Sequence, residues 1–234
     1  MRGFDKLAIN RNLLFGLTLE EGVGTLAHDR ARPHHASTLT GTPTWASIAS
    51  GLSVLEFLNA HPDFIQCPAA ATADLNFTSG DFSMAVWFWP AYFDNHQALL
   101  CRGVLNVDGW RLWIVSTPQL RFETSQAGAN QASYTDSPSA IVQRWSLWGM
   151  SRSGSLVSLY HNGIDRTSVA GSHTNPTGAN RKLHIGILDD EASYPVLGDA
   201  FAKGKKWNPR IWGRKLESWE HMAIFNAERH LFGV

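Results

Sequence analysis

The chain has 234 residues, of which 44% are hydrophobic and 17% charged, and its 20 Lys+Arg balance 20 Asp+Glu. The apolar fraction excludes intrinsic disorder. The missing net positive charge argues against nucleic acid, whose binding rests on neutralising phosphates, and against an anionic membrane surface. The length suits one domain able to remove about 70% of its unfolded surface from water, so a core needs no disulfide or metal staple. Cys67 and Cys101 either form one bridge or stay as buried thiols. The second reading is favoured, because a free cysteine packs as a small hydrophobe. The opening MRGFDKLAIN lacks the apolar stretch of a signal peptide, and no apolar run reaches the roughly 18 residues of a membrane span. A soluble chain outside the general secretion route is expected.

Strand signals recur at short spacing. Residues 13–19 and 52–57 alternate apolar and polar. Residues 82–89 read FSMAVWFW, with Phe82, Met84, Val86 and Phe88 on one face and Ser83, Ala85, Trp87 and Trp89 on the other. Pro90 closes that strand, since proline cannot donate to a ladder. Residues 110–115 and 120–124 predict a hairpin. So do 145–151 and 155–160, joined through Gly154 where positive φ is expected. His161-Asn162-Gly163 turns the chain, and 183–188 and 205–212 add two strands. Only residues 218–230 read as a helix, with Ser218 as its cap. Many short strands and one terminal helix predict an all-β, two-sheet antiparallel sandwich in a single domain over residues 1–234.

In their order these pieces resemble the laminin-G-like, concanavalin-A-like jelly-roll domains over nearly the whole chain. The likeness rests on residues 12–45 (NLLFGLTLEEGVGTLAHDRARPHHASTLTGTPTW), on 80–88 (GDFSMAVWF), and on Trp145 with Leu159-Tyr160-His161-Asn162-Gly163. Leu183-His184-Ile185-Gly186 and 210–216 (RIWGRKL), followed by Ser218 and Glu220, complete it. The resemblance implies a jelly roll. It is far less specific for function, because this fold serves lectins, adhesion modules and glycoside hydrolases alike.

Catalysis is not expected. Catalytic members of this fold carry Glu-x-Asp-x-x-Glu on a strand, which places paired carboxylates on one face; the motif is missing here. Glu123 stands alone on its strand, while Glu20-Glu21 and Asp189-Asp190-Glu191 read as turns. The family's structural calcium would draw on the loop 29–36. The acids that precede the family's closing strand are replaced by Trp207 and Asn208, so Asp29 is only a weak metal candidate and capping a turn suits it better. No cofactor is expected. His34 and His35 read as a loop.

Ten tryptophans are the strongest functional signal. Each one taken singly is favoured as core, yet at least one exposed pair is expected, and on a sheet such a pair would stack on sugar rings or anchor a partner. Trp87, Trp89, Trp110, Trp113 and Trp207 are the binding candidates. A stand-alone chain of this kind resembles laminin-G-like structural proteins of tailed phages. A non-catalytic binding or assembly module of a virion is therefore expected, partnered by its own copies or by a capsid or tail lattice protein. A glycan-binding lectin is the alternative and a glycoside hydrolase relative the third reading. The location would be the virion, or extracellular if a leader precedes the given chain. Trp219, Phe225, Leu231 and Phe232 are the assembly candidates, with self-docking of the apolar tail as the competing reading.

Overall fold

The computed structural model describes residues 8–32, 34–57, 63–93, 96–136, 141–188 and 201–234. The acidic run Asp189-Asp190-Glu191 lies outside them. The strands are β1 Leu13–Gly16, β2 Thr38–Thr40, β3 Thr44–Ser47, β4 Ser53–Phe57, β5 Phe64–Cys67, β6 Phe82–Pro90, β7 Gln97–Val104 and β8 Asp108–Ile114. They continue as β9 Leu120–Gln126, β10 Ala129–Thr135, β11 Ser146–Ser153, β12 Leu156–His161, β13 Ile164–Asp165, β14 Thr167–Val169, β15 Leu183–Ile185 and β16 Gly204–Trp212. The helix α1, Ser218–Glu228, follows and tightens into a 3₁₀ turn at Arg229–Phe232.

Two eight-stranded antiparallel sheets face each other. The first runs β13-β12-β11-β6-β16-β4-β3, with β1 also on β16; the second runs β14-β10-β9-β8-β7-β15-β5-β2. The expected hairpins form, with Ile114 opposite Leu120 and Ser153 opposite Leu156 around Gly154 at φ 59°. The two cysteines are buried and free, so the disulfide alternative falls. Burial pushes the Cys67 thiol up to about 12.

Strand β6 explains the tryptophan count. Phe82 points inward, 5.9 Å from Phe122 and 6.1 Å from Trp110 of the opposite sheet. The alternate residues point outward, yet Ser83, Ala85 and Trp87 are as buried as the inward set. The chain's own C-terminus covers them. Trp87 packs 5.8 Å from Phe225 and 4.2 Å from Phe232, and Phe232 lies 4.6 Å from Trp145 and 5.5 Å from Trp207. Below this aromatic cluster, Ser83 accepts from Leu216 N at 2.7 Å, and Ser151 donates to Leu216 O and lies 2.9 Å from His221 Nε2. The helix cap is Glu217 rather than Ser218; its N–H donates to Glu220 Oε2 at 2.9 Å, half of a capping box.

Strand β16 is the irregular one. It pairs with β4 over Gly204–Lys206 and with β1 over Arg210–Trp212, so its partner changes midway. At that point its register against β6 slips. Trp207 lies opposite Trp87 and Arg210 opposite Ala85, three steps against two. The extra length is taken up by Asn208 at φ 51° and by Pro209, which has no N–H for a ladder. Just before the slip, the ammonium of Lys206 is fully enclosed without a hydrogen-bond partner, 4.6 Å from the rings of Phe57 and of Phe88.

Phe232→Ala removes the ring shared by Trp87, Trp145 and Trp207. The ring is only partly enclosed, so the expected loss is about 2–3 kcal/mol, below that of a fully buried phenylalanine. This corresponds to a Tm fall of about 5–10 °C, and an unchanged melting curve would show that the tail is not docked. Burial holds the Lys206 amine well below its ordinary value of 10.5. A base depressed in the fold is a liability that grows as pH falls from the unfolded pKa toward the folded one. Lys206→Met is therefore expected to raise Tm, by more at pH 7 than at pH 10. A Tm gain that does not shrink toward pH 10 would contradict this origin.

Candidate functional site

The slip in β16 leaves a gap between β4 and β1, and the segment that follows β1 enters it. Leu17 N donates to Pro209 O at 3.1 Å. Leu19, fully buried, is then held at φ 55°. A bulky residue in the left-handed region costs about 1–3 kcal/mol and persists only where its surroundings over-determine it. Between these two strained backbones lies a pocket of about 390 Å³, lined by Thr18, Glu20, Arg30, Trp207, Asn208 and Glu228.

Three of these residues carry a polar atom that is shielded from solvent and has no partner in the protein: Thr18 Oγ1, Trp207 Nε1 and Asn208 Oδ1. Each such atom costs about 1–3 kcal/mol, so three around one pocket call for a physical explanation. Glu228 is the opposite case. Its Oε2 accepts from Trp87 Nε1 at 2.7 Å and Arg210 Nη2 at 2.8 Å; its Oε1 accepts from Asn208 Nδ2 at 3.3 Å and pairs with Arg210 Nη1 at 2.8 Å. That carboxylate is fully committed to holding Asn208 and β16. Glu20 stands at the mouth. Partial burial pushes its carboxyl up, the nearby Arg30 charge lowers it, and Glu21 raises it.

Glu20 and Arg30 also line a wider depression of about 860 Å³, which extends along Leu26, His28, His34 and Ser37 to Thr38. The two spaces meet at Glu20 and Arg30 as one cleft, lined by residues from 18–30 and 34–38. Its floor is braced by Asp29, whose Oδ1 accepts from Gly16 N and Ala31 N at 2.9 Å each and whose Oδ2 accepts from His35 N at 3.0 Å. His35 bridges Asp29 through Nδ1 and Asp74 through Nε2, the latter at 2.9 Å. Burial opposes protonation of that ring, but its hydrogen bonds to Asp29 and Asp74 outweigh burial and hold it above its ordinary value.

The structure reassigns the residues selected from sequence. Trp87, Trp110, Trp113 and Trp207 are buried, so none offers an open face to a sugar. Trp110 donates to Leu75 O inside the sandwich, and Trp113 lies under the Arg121 guanidinium at 5.1 Å. Trp89 is half-buried with Lys205 Nζ 4.5 Å over its ring, and no exposed tryptophan pair stands on either sheet. Trp207 lines the pocket of about 390 Å³. Among the assembly candidates, Phe225, Leu231 and Phe232 pack on the core, while Trp219 is 69% exposed. Asp29 spends its carboxylate on turn N–H groups and on His35, and the described residues contain no cluster suited to a metal. His35 is an enclosed brace rather than a free loop residue. Glu123 is buried between Arg111 and Arg121, which removes it as a free acid. Sequence reading missed Thr18, Arg30 and Glu228 and took Glu20 as a plain turn. The available signal was Pro209 inside a strand pattern, which marks a bulge.

The geometry defines a jelly-roll sandwich with a loop-lined cleft at a bulge. The chain belongs to the concanavalin A-like lectin/glucanases superfamily, whose family model matches residues 67–221. No curated protein matches it. Among solved structures, the binding domain of Paraclostridial Mosquitocidal Protein 1 superposes with a TM-score of 0.72 at 16% identity, over 94% of this chain and 53% of that one. Botulinum neurotoxin type C, whose cell entry depends on interaction with two ganglioside molecules, gives 0.68 at 13% over 94% and 52%. The binding domain of botulinum neurotoxin DC, in complex with rat synaptotagmin II, gives 0.67 at 14% over 94% and 52%. The chain thus spans about half the length of these structures, and the likeness is one of fold. No helix among the described residues is long and apolar enough to cross a membrane.

Proposed function

We infer that the chain is a single, non-catalytic jelly-roll binding domain over residues 1–234, and that its cleft takes a neutral carbohydrate. The observation that carries this reading is the polar lining of one pocket, to which Thr18, Glu20, Arg30 and Asn208 contribute. A lining of hydroxyl, amide, carboxylate and guanidinium side chains is matched by a sugar's hydroxyls, each of which donates and accepts. Glu20 and Arg30 supply an acceptor and a donor at the mouth. The wider depression leaves room for further sugar units. The solved neighbours are binding domains, one of them from a toxin that interacts with gangliosides, which supports binding rather than turnover. Glu228 adds to this, because an acid held by Trp87, Asn208 and Arg210 has no freedom to deliver a proton or attack a sugar.

The second reading, assembly of a virion from copies of this chain or with a lattice protein, is favoured by Trp219. Its indole stands exposed in the first turn of α1, where a core role is ruled out and a partner's pocket would suit it.

Two measurements test the readings. On a neutral-oligosaccharide array the folded protein is expected to be retained. Thr18→Val and Asn208→Gly, the latter keeping the positive φ accessible, should each weaken binding about tenfold, the worth of one lost hydrogen bond in a closed site. No retention by a folded wild type would sink the carbohydrate reading. For assembly, light scattering should show an oligomer that Trp219→Ser dissociates at unchanged Tm; a wild type that is monomeric at high concentration would eliminate it.

A further inference from the structure

A separate pocket of about 210 Å³ lies where β11, β12 and β13 meet the segment 141–144; Arg144, Ser146, His161, Asn162 and Arg166 line it, with Ile141 and Ile164 beside them. Its charged groups, Arg144 and Arg166, are donors only. The Asn162 side-chain oxygen is consumed by Leu147 N at 2.9 Å, so the free end of that amide is its NH₂. The Arg144 guanidinium makes no ion pair or hydrogen bond among the described residues. Arg166 pairs with Asp136 at 3.3 Å, with side chains 47% and 51% exposed, an arrangement that holds weakly. The ring of His161 stacks on Trp148 at 4.3 Å, and its Nε2 is shielded and unpartnered. Burial first, then the charges of Arg166 and Arg144, push that ring down to about 4 against the pull of Asp136. The pocket is therefore electropositive, and Asp136 is the acidic group that acts on it.

The backbone around the pocket is strained as it is around the cleft. Among the described residues, six other than glycine have positive φ, and four of them are asparagine, the side chain that tolerates it best. The other two are Leu19, beside the cleft, and Gln143 at φ 56°, which immediately precedes Arg144. Gln143 is fixed there by its N–H, which donates to Pro90 O at 2.7 Å. Asn162, at φ 52°, and Gly163, at φ 79°, form the turn between β12 and β13 that borders the pocket. Such strain collects where a side chain must be aimed.

We propose that this pocket binds a tetrahedral oxyanion, a sulfate or phosphate group, gripped by Arg144 and Arg166 and receiving hydrogen bonds from Ser146 and Asn162. Guanidinium forks match the oxygen spacing of such groups. Ile141 and Ile164, 52% and 48% exposed, give an apolar rim that a bare ion does not use. The group is accordingly carried as an ester on an organic ligand. This site shares no residue with the cleft, so the carbohydrate reading can fail while this one stands.

The test is titration calorimetry at low ionic strength with sodium sulfate, sodium phosphate and 4-nitrophenyl sulfate as probes. The wild type is expected to bind, with 4-nitrophenyl sulfate at least threefold tighter than sulfate. Arg144→Gln and Arg166→Gln should each weaken binding tenfold or more at unchanged Tm, and Asn208→Gly should leave it intact. Equal affinity for sulfate and its aryl ester would overturn the ester assignment and leave a free-ion site. No heat at 10-millimolar probe, or undiminished binding by both arginine variants, would overturn the pocket itself.

Discussion

The carboxylate of Glu228 joins the parts of this molecule that a jelly roll leaves separate. It is the last residue of α1, where an acid is unfavourable against the helix dipole. It is retained against that bias by the indole N–H of Trp87 from β6, the guanidinium of Arg210 from β16 and the amide of Asn208 at the bulge. Charge-assisted bonds of this kind are about twice as strong as neutral ones. Fixing the helix end over β6 brings Phe225 and Phe232 onto Trp87, which closes the outer face of the first sheet. The same carboxylate holds Asn208 in its left-handed backbone and so shapes the pocket wall. Cover, sheet and site depend on one side chain.

Closing that face explains which parts of the sequence were legible. The alternation in FSMAVWFW located β6 and its two faces correctly, and the hairpins followed from their turn residues. Alternation says which residues share a face, but not whether that face meets water. Trp87 and Trp207 are written on the outward side, and they look like a ligand platform until residues 225–232 are laid over them. The apolar tail itself was visible in the sequence; its destination depended on contacts more than a hundred residues away. Strand β7, QALLCRGV, escaped because burial on both faces erases the period of two. Strand β10, ANQASYT, escaped because its polar content reads as loop.

The cleft was less legible for a different reason. The departure from the family pattern at Trp207-Asn208 was plain, and it was weighed as a lost metal site. Its structural meaning is the bulge, which Pro209 announces and Asn208 permits. What the bulge admits, however, is a segment from the other end of the chain, and nothing in LTLEEG marks Leu19 as a residue forced to positive φ. That strain follows from anchoring Leu17 to Pro209 while Asp29 ties Gly16 to the turn behind it. It is a property of the closed ring of contacts and of no local stretch.

These constraints bear on where such a fold can hold a ligand. A sandwich whose first sheet is covered outside by its own helix over β6, β11 and β16 and inside by the second sheet has no open centre on that face for recognition. Recognition is left to places where the ladder breaks or ends, because there polar groups go unpaired and the backbone can be bent to aim side chains. Both pockets obey this. One sits where β16 changes partners, and the other where β11 to β13 run out, and each is flanked by one of the two described residues that have positive φ and are neither glycine nor asparagine. The solved neighbours share the sandwich at 13–16% identity, so core volume and strand order can be kept while the residues at such breaks change freely. In this chain the breaks carry unsatisfied donors and acceptors at the cleft and, at the smaller pocket, the charge of Arg144 beside an Arg166 that Asp136 holds only weakly. The two pockets therefore present different chemistry on one scaffold, and neither rests on the exposed aromatic surface that the composition first suggested.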